Sequence, residues 1–531
     1  MNLTAEKFDI VVIGGGAVGS GIALDATLRG YKVLLLEKND FGSGTSTKSS
    51  KLVHGGVRYL EKAITTFDKA QYDLVKEGLK ERWSFLKNAS NISHRFKLNV
   101  PSYSYWNLVK SYVGLYLYRL ISGKKNLGKN SFLNKVVSSL FFPNLKKENL
   151  KACVSFYDGT FLDFRMIISL LETASLNGAV VKNYCEVKEF LYDENRKIRG
   201  IKYFDKISNN EVEIKSSVVI NATGANADNM RFIDDKNAEE KLTLSSGIHI
   251  VVSKEFLSSD EGLLISNTSD KRVIFVLPYL NHCLIGTTDN KIEYEENPKV
   301  KDEEIDYLLN EVNKYSEKPL KKEDILSCWS GIRPLLKNDK NRTEQIVREH
   351  SIFSSKSGLV SIVGGKWTTY RKMAQELLSY LVLNNKIEKK AVCQTKKFKL
   401  IGNKQKKDTL EKLLSFYPII KETKESLISL YGDRTTMILD MANQSNNFEL
   451  ISLDLPYLKV EIEYAIRFEY VKKPIDFLAR RVGLCFIDKK SSLLCFDSIC
   501  DEMARILSWS DEEKELIKEE SIELINNNFY N

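Results

Sequence analysis

The chain has 531 residues, enough for two to four domains, and its 43% hydrophobic and 28% charged content is that of a folded protein rather than a disordered one. Its formal charge of +9 (79 basic against 70 acidic residues) is a modest excess: it favours a lipid surface or a phosphorylated small molecule, or reflects ordinary surface variation, and makes no case for nucleic acid. Five histidines without metal-pair spacing and eight cysteines without a Cys-x-x-Cys pair imply no metal centre and reduced thiols.

The first residues lead straight into an apolar strand, with no signal-peptide pattern, and no run of about eighteen uncharged apolar residues is present to span a membrane. Residues 8–13 form that strand. Gly14, Gly16 and Gly19 follow, a helix runs from Ala17 to about Arg29, Gly30 breaks it, and a second apolar strand at 33–36 ends on Glu37. This strand–turn–helix–strand unit grips the ADP part of a dinucleotide. Gly14 permits the tight turn, Gly16 clears the approach of a pyrophosphate, and Gly19 lets helix and strand pack closely. Ala17 and Val18 open the helix, whose free N–H groups and positive dipole end favour the pyrophosphate. Glu37, with Lys38 beside it, is placed to accept hydrogen bonds from a ribose and would repel a 2′-phosphate. The unit alone leaves FAD and NAD open.

Residues 44–60 are rich in hydroxyls. Thr45, Ser46 and Ser50 suit a second phosphate and a ribityl chain. Lys51, Leu52 and His54 lead to Gly55-Gly56, a pair that lets backbone approach a flat ring. Arg58 offers a planar fork for an anion beside that ring, and Tyr59 follows it. Residues 66–88 read as an amphipathic helix. In 104–121, Val109, Tyr112, Val113, Tyr116, Leu117 and Leu120 share one helical face, with Lys110, Arg119, Lys124, Lys125 and Lys129 around it. Either this helix rests on lipid headgroups or it is buried under a cap. A helix at 160–178 leads into strands near 180–205, and a strand at 218–220 precedes Ala222-Thr223-Gly224. Residues 247–290 alternate as strands. The strand at 359–363 ends at Gly364-Gly365, and a helix begins near Thr368, so its positive end faces Gly365 and Lys366. The lysine-rich stretch 386–407 reads as a linker, and the pattern is helical from 408 onward.

Several motifs together carry a resemblance. The segment from Ser49 to Glu61 (Ser-Ser-Lys-Leu-Val-His-Gly-Gly-Val-Arg-Tyr-Leu-Glu) resembles the signature of FAD-dependent glycerol-3-phosphate dehydrogenases. Tyr157-Asp-Gly with Asp163-Phe-Arg165, the Ala-Thr-Gly segment ending at Gly224, Ser246-Gly-Ile-His249, Leu284-Ile-Gly-Thr-Thr-Asp289, Trp329-Ser-Gly-Ile-Arg333 and Gly364-Gly-Lys-Trp-Thr-Thr-Tyr-Arg371 are similar to further motifs of that family, in order. Tyr464 to Glu469 and Phe477 to Arg481 resemble its helical domain. The resemblance covers nearly the whole chain and lacks the large insertion of the related oxidases of lactic acid bacteria.

It implies α/β plus all-α architecture: a Rossmann-type FAD-binding domain with an inserted antiparallel-sheet substrate domain, and a C-terminal helical domain. The FAD-binding domain is expected at 1–90, 181–225 and 351–385, its helices and cap region at 91–180, and the substrate domain at 226–350. A linker at 386–407 and the helical domain at 408–531 complete the reading. The implied substrate, sn-glycerol 3-phosphate, is a dianion. The resemblance puts Arg58, Tyr59, Arg333, Arg348 and Lys366 against it, and Val187 by its main chain against the adenine. His249 is the first choice for proton acceptor, since an imidazole near pH 6.5 is suitably poised, with Arg333 stabilising the developing alkoxide; His54 is the runner-up. The resemblance further implies electron transfer to a membrane quinone, a peripheral position on the inner, cytoplasmic face of the cell membrane, and no metal. A homodimer is an open alternative. The rival readings are an oxidase using oxygen, an amine or amino-acid oxidase of the same architecture, and a non-catalytic flavin-bound scaffold.

Overall fold

A computed structural model describes residues 6–56, 68–270, 272–337, 350–405 and 407–530; Arg58, Tyr59 and Arg348 lie outside them. Two sheets organise the described residues. In the first, the strand order is His350–Ser354, Val360–Gly364, Asn210–Asn221, Lys7–Ile13, Val33–Leu36, Val180–Lys182, with the last five parallel. The central strands are near-continuous apolar runs because both faces are covered. On one side lie the helices Ala17–Leu28, Asp163–Leu176 and Tyr370–Leu383, and on the other pack Cys185–Tyr192 and Ile198–Asp205. The discontinuous nucleotide-binding architecture expected from the sequence is therefore present.

The second sheet carries the order Asn290–Ile292, Leu242–Ser253, His282–Gly286, Ile274–Tyr279, Gly262–Ile265, Ser93–Ser102, Ala152–Phe161, Leu52–Val53, with Ser327–Leu336 and Ser131–Asn134 attached. It is antiparallel except where Gly262–Ile265 meets Ser93–Ser102. This differs from a sheet confined to 226–350, since the stretch 91–180 supplies three strands as well as helices. The physical reason is pairing at a distance. Ser93–Ser102 finds its partner in Ala152–Phe161, across an intervening helical excursion that dominates the local pattern.

The C-terminal helices, from Lys407–Leu414 to Asp511–Asn528, share one apolar core with the second sheet, with Val251, Tyr279, Leu284 and Trp329 among its members. Buried ion pairs tie these helices to the nucleotide domain. Arg165 grips Glu469 with two hydrogen bonds of 2.5 and 2.8 Å, and Asp40 lies between Arg480 (2.5 Å) and Arg481 (2.9 Å). Burial opposes the charge on Asp40, but Arg481 and Arg480 outweigh it and hold its pKa at about 2. The stretch 386–400 is irregular, yet it is strapped to the nucleotide domain. Tyr31 donates to the Glu388 carbonyl (2.6 Å), Lys390 pairs with Asp9 (2.7 Å), and Leu400 donates to the Asn88 carbonyl (2.9 Å).

The helix Tyr105–Ser122 combines features of both expectations for it. Leu115, Tyr118 and Ser122 are buried. The opposite stripe of Tyr105, Trp106, Val109, Val113, Tyr116 and Leu120 is 40–77% exposed, and Tyr112 and Leu117 are half-buried. Phe132 stacks on Tyr112 at 4.5 Å, and Val136, Leu140 and Phe141 of the next helix extend the exposed apolar surface. No described helix is long and apolar enough to cross a membrane.

Candidate active site

Three strand ends converge at residues 13–16. Gly14 has φ +108°, donates to the Leu36 carbonyl (2.8 Å), and lies so close to Ala222 that a Cβ would sit 2.6 Å from its carbonyl oxygen. A Cβ on Gly19 would run into the Gly14 carbonyl, so both glycines are steric requirements of the turn. Gly16 opens the helix Ala17–Leu28 with no side-chain cap and no acidic residue in the first turn, and residues 16–18 are half-exposed. The helix end is thus left for an outside anion. The hydroxyl of Ser46 stands beside it and accepts from the Ala17 N–H at 2.9 Å. Glu37 accepts from the N–H groups of Gly15 (2.7 Å) and Asn39 (3.0 Å); burial raises its pKa against those bonds. Lys38 pairs with Glu296 at 2.7 Å. The Glu37 carbonyl accepts from Cys185 (2.7 Å), which brings the strand Cys185–Tyr192 alongside; the Val187 side chain on it lies in the core.

The loop from Gly44 to Gly56 is held from two sides. Trp367 Nε1 donates to the Ser46 carbonyl (2.8 Å) and Thr368 Oγ1 to that of His54 (3.1 Å), so the segment after Gly365 is stitched to this loop. Gly365 has φ +86°, where a Cβ would strike Met373, and Lys366 caps the turn Trp367–Thr369 before the helix Tyr370–Leu383. Across the cleft, Thr223 is fixed by the Asn221 side chain (2.7 Å), and Gly224 turns with φ +60°. Lys51 differs from expectation. Its ammonium is only 1% exposed and is committed to Asp163 (2.8 Å) and the Thr47 carbonyl (2.6 Å), so only its main chain is left for a cofactor. Leu52 is likewise buried in a short strand.

One arrangement has no counterpart in the sequence reading. Tyr118 Oη accepts from the Gly55 N–H (2.7 Å) and donates to Asp158 (3.1 Å), which is paired with Arg82 at 2.6 Å. The polar Tyr118 on the buried face of an apolar helix was the available signal, together with Asp158 in a motif that had been given no role.

Leu242–Ser253 pairs antiparallel with Ser327–Leu336, setting Ser245 opposite Arg333, Gly247 opposite Gly331 and His249 opposite Trp329. Alternation puts all six on one face of the sheet. A Cβ on Gly247 would overlap the Arg333 guanidinium, and one on Gly331 would sit 2.7 Å from the Lys48 carbonyl. The paired glycines thus let the guanidinium and the cofactor loop lie flat on the sheet. Arg333 donates to Thr287 Oγ1 (2.8 Å) and the carbonyls of Thr288 (3.0 Å) and Ser246 (3.2 Å), with Asp289 at 3.4 Å; Asp289 also accepts from Ser245. His249 is 2% exposed, its Nε2 is 2.9 Å from Ser50 Oγ, and its buried Nδ1 has no hydrogen-bond partner among the described residues. Burial, then the cations Arg333 and Lys51, lower its pKa well below 6.5, so the ring is neutral rather than half-titrated near neutrality.

These residues fit a flavin dinucleotide. The helix end at Gly16, where the Ser46 hydroxyl alone meets the first N–H, suits a pyrophosphate, a carboxylate lies at the end of the second strand, and glycine-lined backbone meets a sheet carrying a neutral histidine and an arginine. Fold and site define a FAD-dependent oxidoreductase. The family described as "FAD dependent oxidoreductase" matches residues 9–371, and the "C-terminal domain of alpha-glycerophosphate oxidase" matches 393–514. The chain is 37% identical to the probable mitochondrial glycerol-3-phosphate dehydrogenase of Dictyostelium discoideum, over 95% of this chain and 82% of that one. It is 38% identical to the human mitochondrial glycerol-3-phosphate dehydrogenase, over 96% of this chain and 72% of that one. The FAD complex of the Bacillus halodurans glycerol-3-phosphate dehydrogenase superposes with a TM-score of 0.80 at 28% identity, over 99% of this chain and 96% of that one. The chain belongs to the FAD-dependent glycerol-3-phosphate dehydrogenase family.

Proposed function

We propose that this protein oxidises sn-glycerol 3-phosphate to dihydroxyacetone phosphate and delivers the electrons to a membrane quinone. The observation that carries this reading is the placement of His249 and Arg333 on one sheet face, against the loop that ends in Gly55-Gly56. The names of relatives spanning nearly the whole chain support the substrate. FAD, when bound, supplies at N5 the acceptor for the hydride leaving C2. Arg333, whose terminal N–H groups are held by Thr287, Thr288, Ser246 and Asp289, brings a fixed positive charge to the His249 face, and exchanging one of these partners for a substrate oxygen makes a charge-assisted hydrogen bond of about 1.5–3 kcal/mol. His249 takes the C2 hydroxyl proton at Nδ1, the nitrogen without a partner among the described residues. Lys366, at the start of its turn, and Arg58 and Arg348, outside the described residues, supply further positive charge for the dianion.

Adding glycerol 3-phosphate to the holoenzyme without oxygen is expected to bleach the flavin band; an unchanged spectrum would refute the substrate assignment. Hydrogen peroxide formed in a one-to-one ratio with product would instead place the chain among oxidases using oxygen.

The exposed stripe Trp106–Val109–Val113–Tyr116–Leu120, followed by Lys124, Lys125 and Lys129, is the surface we assign to the membrane, giving a peripheral position on its cytoplasmic side. Replacing Val113, Tyr116 and Leu120 together with Glu is expected to leave the enzyme in the supernatant when anionic vesicles are sedimented, where the unaltered protein pellets. Equal pelleting would remove this surface from consideration.

A further inference from the structure

The role of the C-terminal helices is not given by the fold alone, but an aromatic column leads from them to the candidate base. His249 stacks on Trp329, with ring centres 5.6 Å apart and planes 15° from parallel. Phe486 meets Trp329 edge-on at 5.0 Å, and Phe529 meets Phe486 edge-on at 5.0 Å. Trp329 belongs to the substrate sheet, whereas Phe486 sits in the short helix Leu484–Ile487 and Phe529 follows the final helix. All three aromatic side chains are buried.

The column is anchored along its length. Ser327 donates to the Cys485 carbonyl (2.7 Å) and Lys489 N–H to that of Leu326 (3.1 Å). Cys328 and Tyr530 exchange two backbone hydrogen bonds of 2.6 and 2.8 Å, one residue away from Trp329. Lys48 of the cofactor loop donates to Asn528 at 2.9 Å. Phe486 also lies 4.7 Å beneath the Lys51 ammonium, next to Ser50, whose hydroxyl holds His249 Nε2. The ring of His249 is thus fixed on one side by a hydrogen bond from the nucleotide domain and on the other by a stack backed by the helical domain. On its third side it packs over Gly286, where a Cβ would overlap it.

We infer that the C-terminal helical domain is part of the active-site wall, with Trp329 and Phe486 as positioning residues that set the orientation of His249 and keep water from it. This rests on the reading of His249 as the proton acceptor. An edge-to-face aromatic contact tolerates little lateral displacement, and a reacting group misplaced by about 1 Å can lose about a hundredfold in rate. Among the described residues, the charged groups around the imidazole are Arg333 with Asp289, Lys51 with its partner Asp163, and Lys48 on the neighbouring loop. None of them lies in the C-terminal domain, so removing Phe486 changes packing and water access without deleting a charge.

The test uses full-length holoenzyme carrying Phe486→Ala, Phe486→Leu, Phe529→Ala and, as reference, His249→Asn. Phe486→Ala is expected to lower kcat by about ten- to a hundredfold, with KM for glycerol 3-phosphate within about twofold. It also moves the acid limb of the kcat/KM profile upward by about one pH unit, as water reaches the imidazole. Phe486→Leu, which keeps most of the volume, recovers most of kcat. Phe529→Ala shifts the limb in the same direction by less. If His249→Asn is inactive while Phe486→Ala keeps both kcat and pH profile, the positioning role is overturned. If His249→Asn is fully active, the base assignment falls first. Should Phe486→Ala fail to hold FAD, the limb in Phe529→Ala decides, and an unshifted limb there counts against the inference.

Discussion

Arg333→Ala is expected to reduce kcat/KM for glycerol 3-phosphate by about a thousandfold, with the flavin content of the purified protein unchanged. The magnitude follows from what the guanidinium does. It is the described cation that the second sheet places on the His249 face, lying flat on Gly247 and preset by Thr287, Thr288 and Ser246. Removing one preorganised donor to a developing oxyanion costs about a hundred- to a thousandfold, and the lost charge weakens ground-state binding of the dianion as well. Both kcat and KM therefore worsen. Arg333→Lys keeps the charge and loses the fork, so it recovers KM more than kcat. The turn at Gly14–Gly19 and the loop before Gly56 are expected to hold the flavin, whereas the hydrogen bonds of Arg333 described above run to Thr287, Thr288, Ser246 and Asp289. Steady-state kinetics beside the flavin absorbance of the same preparation provide the check. A loss below tenfold, or apoprotein, would contradict the assigned role.

His249→Asn is expected to lower kcat by about a hundred- to ten-thousandfold, the usual range for removing a general base. Asparagine keeps an uncharged polar side chain at the Nδ1 position and stops short of the Nε2 position that Ser50 meets, so the base and that hydrogen bond are removed together. The pH dependence gives the sharper criterion. A base works only when neutral, so activity falls as pH drops through its pKa. Burial with Arg333 and Lys51 nearby disfavours the protonated ring and lowers that pKa below 6.5. The acid limb of kcat/KM therefore lies under pH 6.5 in the unaltered enzyme, and it disappears in His249→Asn. A limb at or above 6.5, or one that persists in the variant, would point to another group.

Much of the nucleotide half was legible in the sequence because its determinants are local. Gly14, Gly16, Gly19 and Glu37 occur within one strand–turn–helix–strand unit, and the structure places them at converging strand ends as that unit requires. The pairing of His249 with Arg333 was reached through motif resemblance, whereas the face they share depends on a register across eighty residues that no local pattern encodes. Lys51 shows the same limit: its place in a polar loop gives no sign of burial, and only the fold reveals Asp163 and three aromatic rings around its ammonium. The hydrogen bond from Gly55 to Tyr118 was out of reach because its parts, residues 55, 82, 118 and 158, meet only after the second sheet closes.

The bridge between Cys328 and Tyr530 has a consequence for how the polypeptide is made. The partner of Cys328 is supplied by Tyr530, beyond the helix Asp511–Asn528, so that edge of the second sheet stays unpaired until the C-terminal helices have been made. The loop-closure entropy of so distant a contact is met late in folding, and such a chain is expected to expose its apolar strand edge for longer than one built of local contacts.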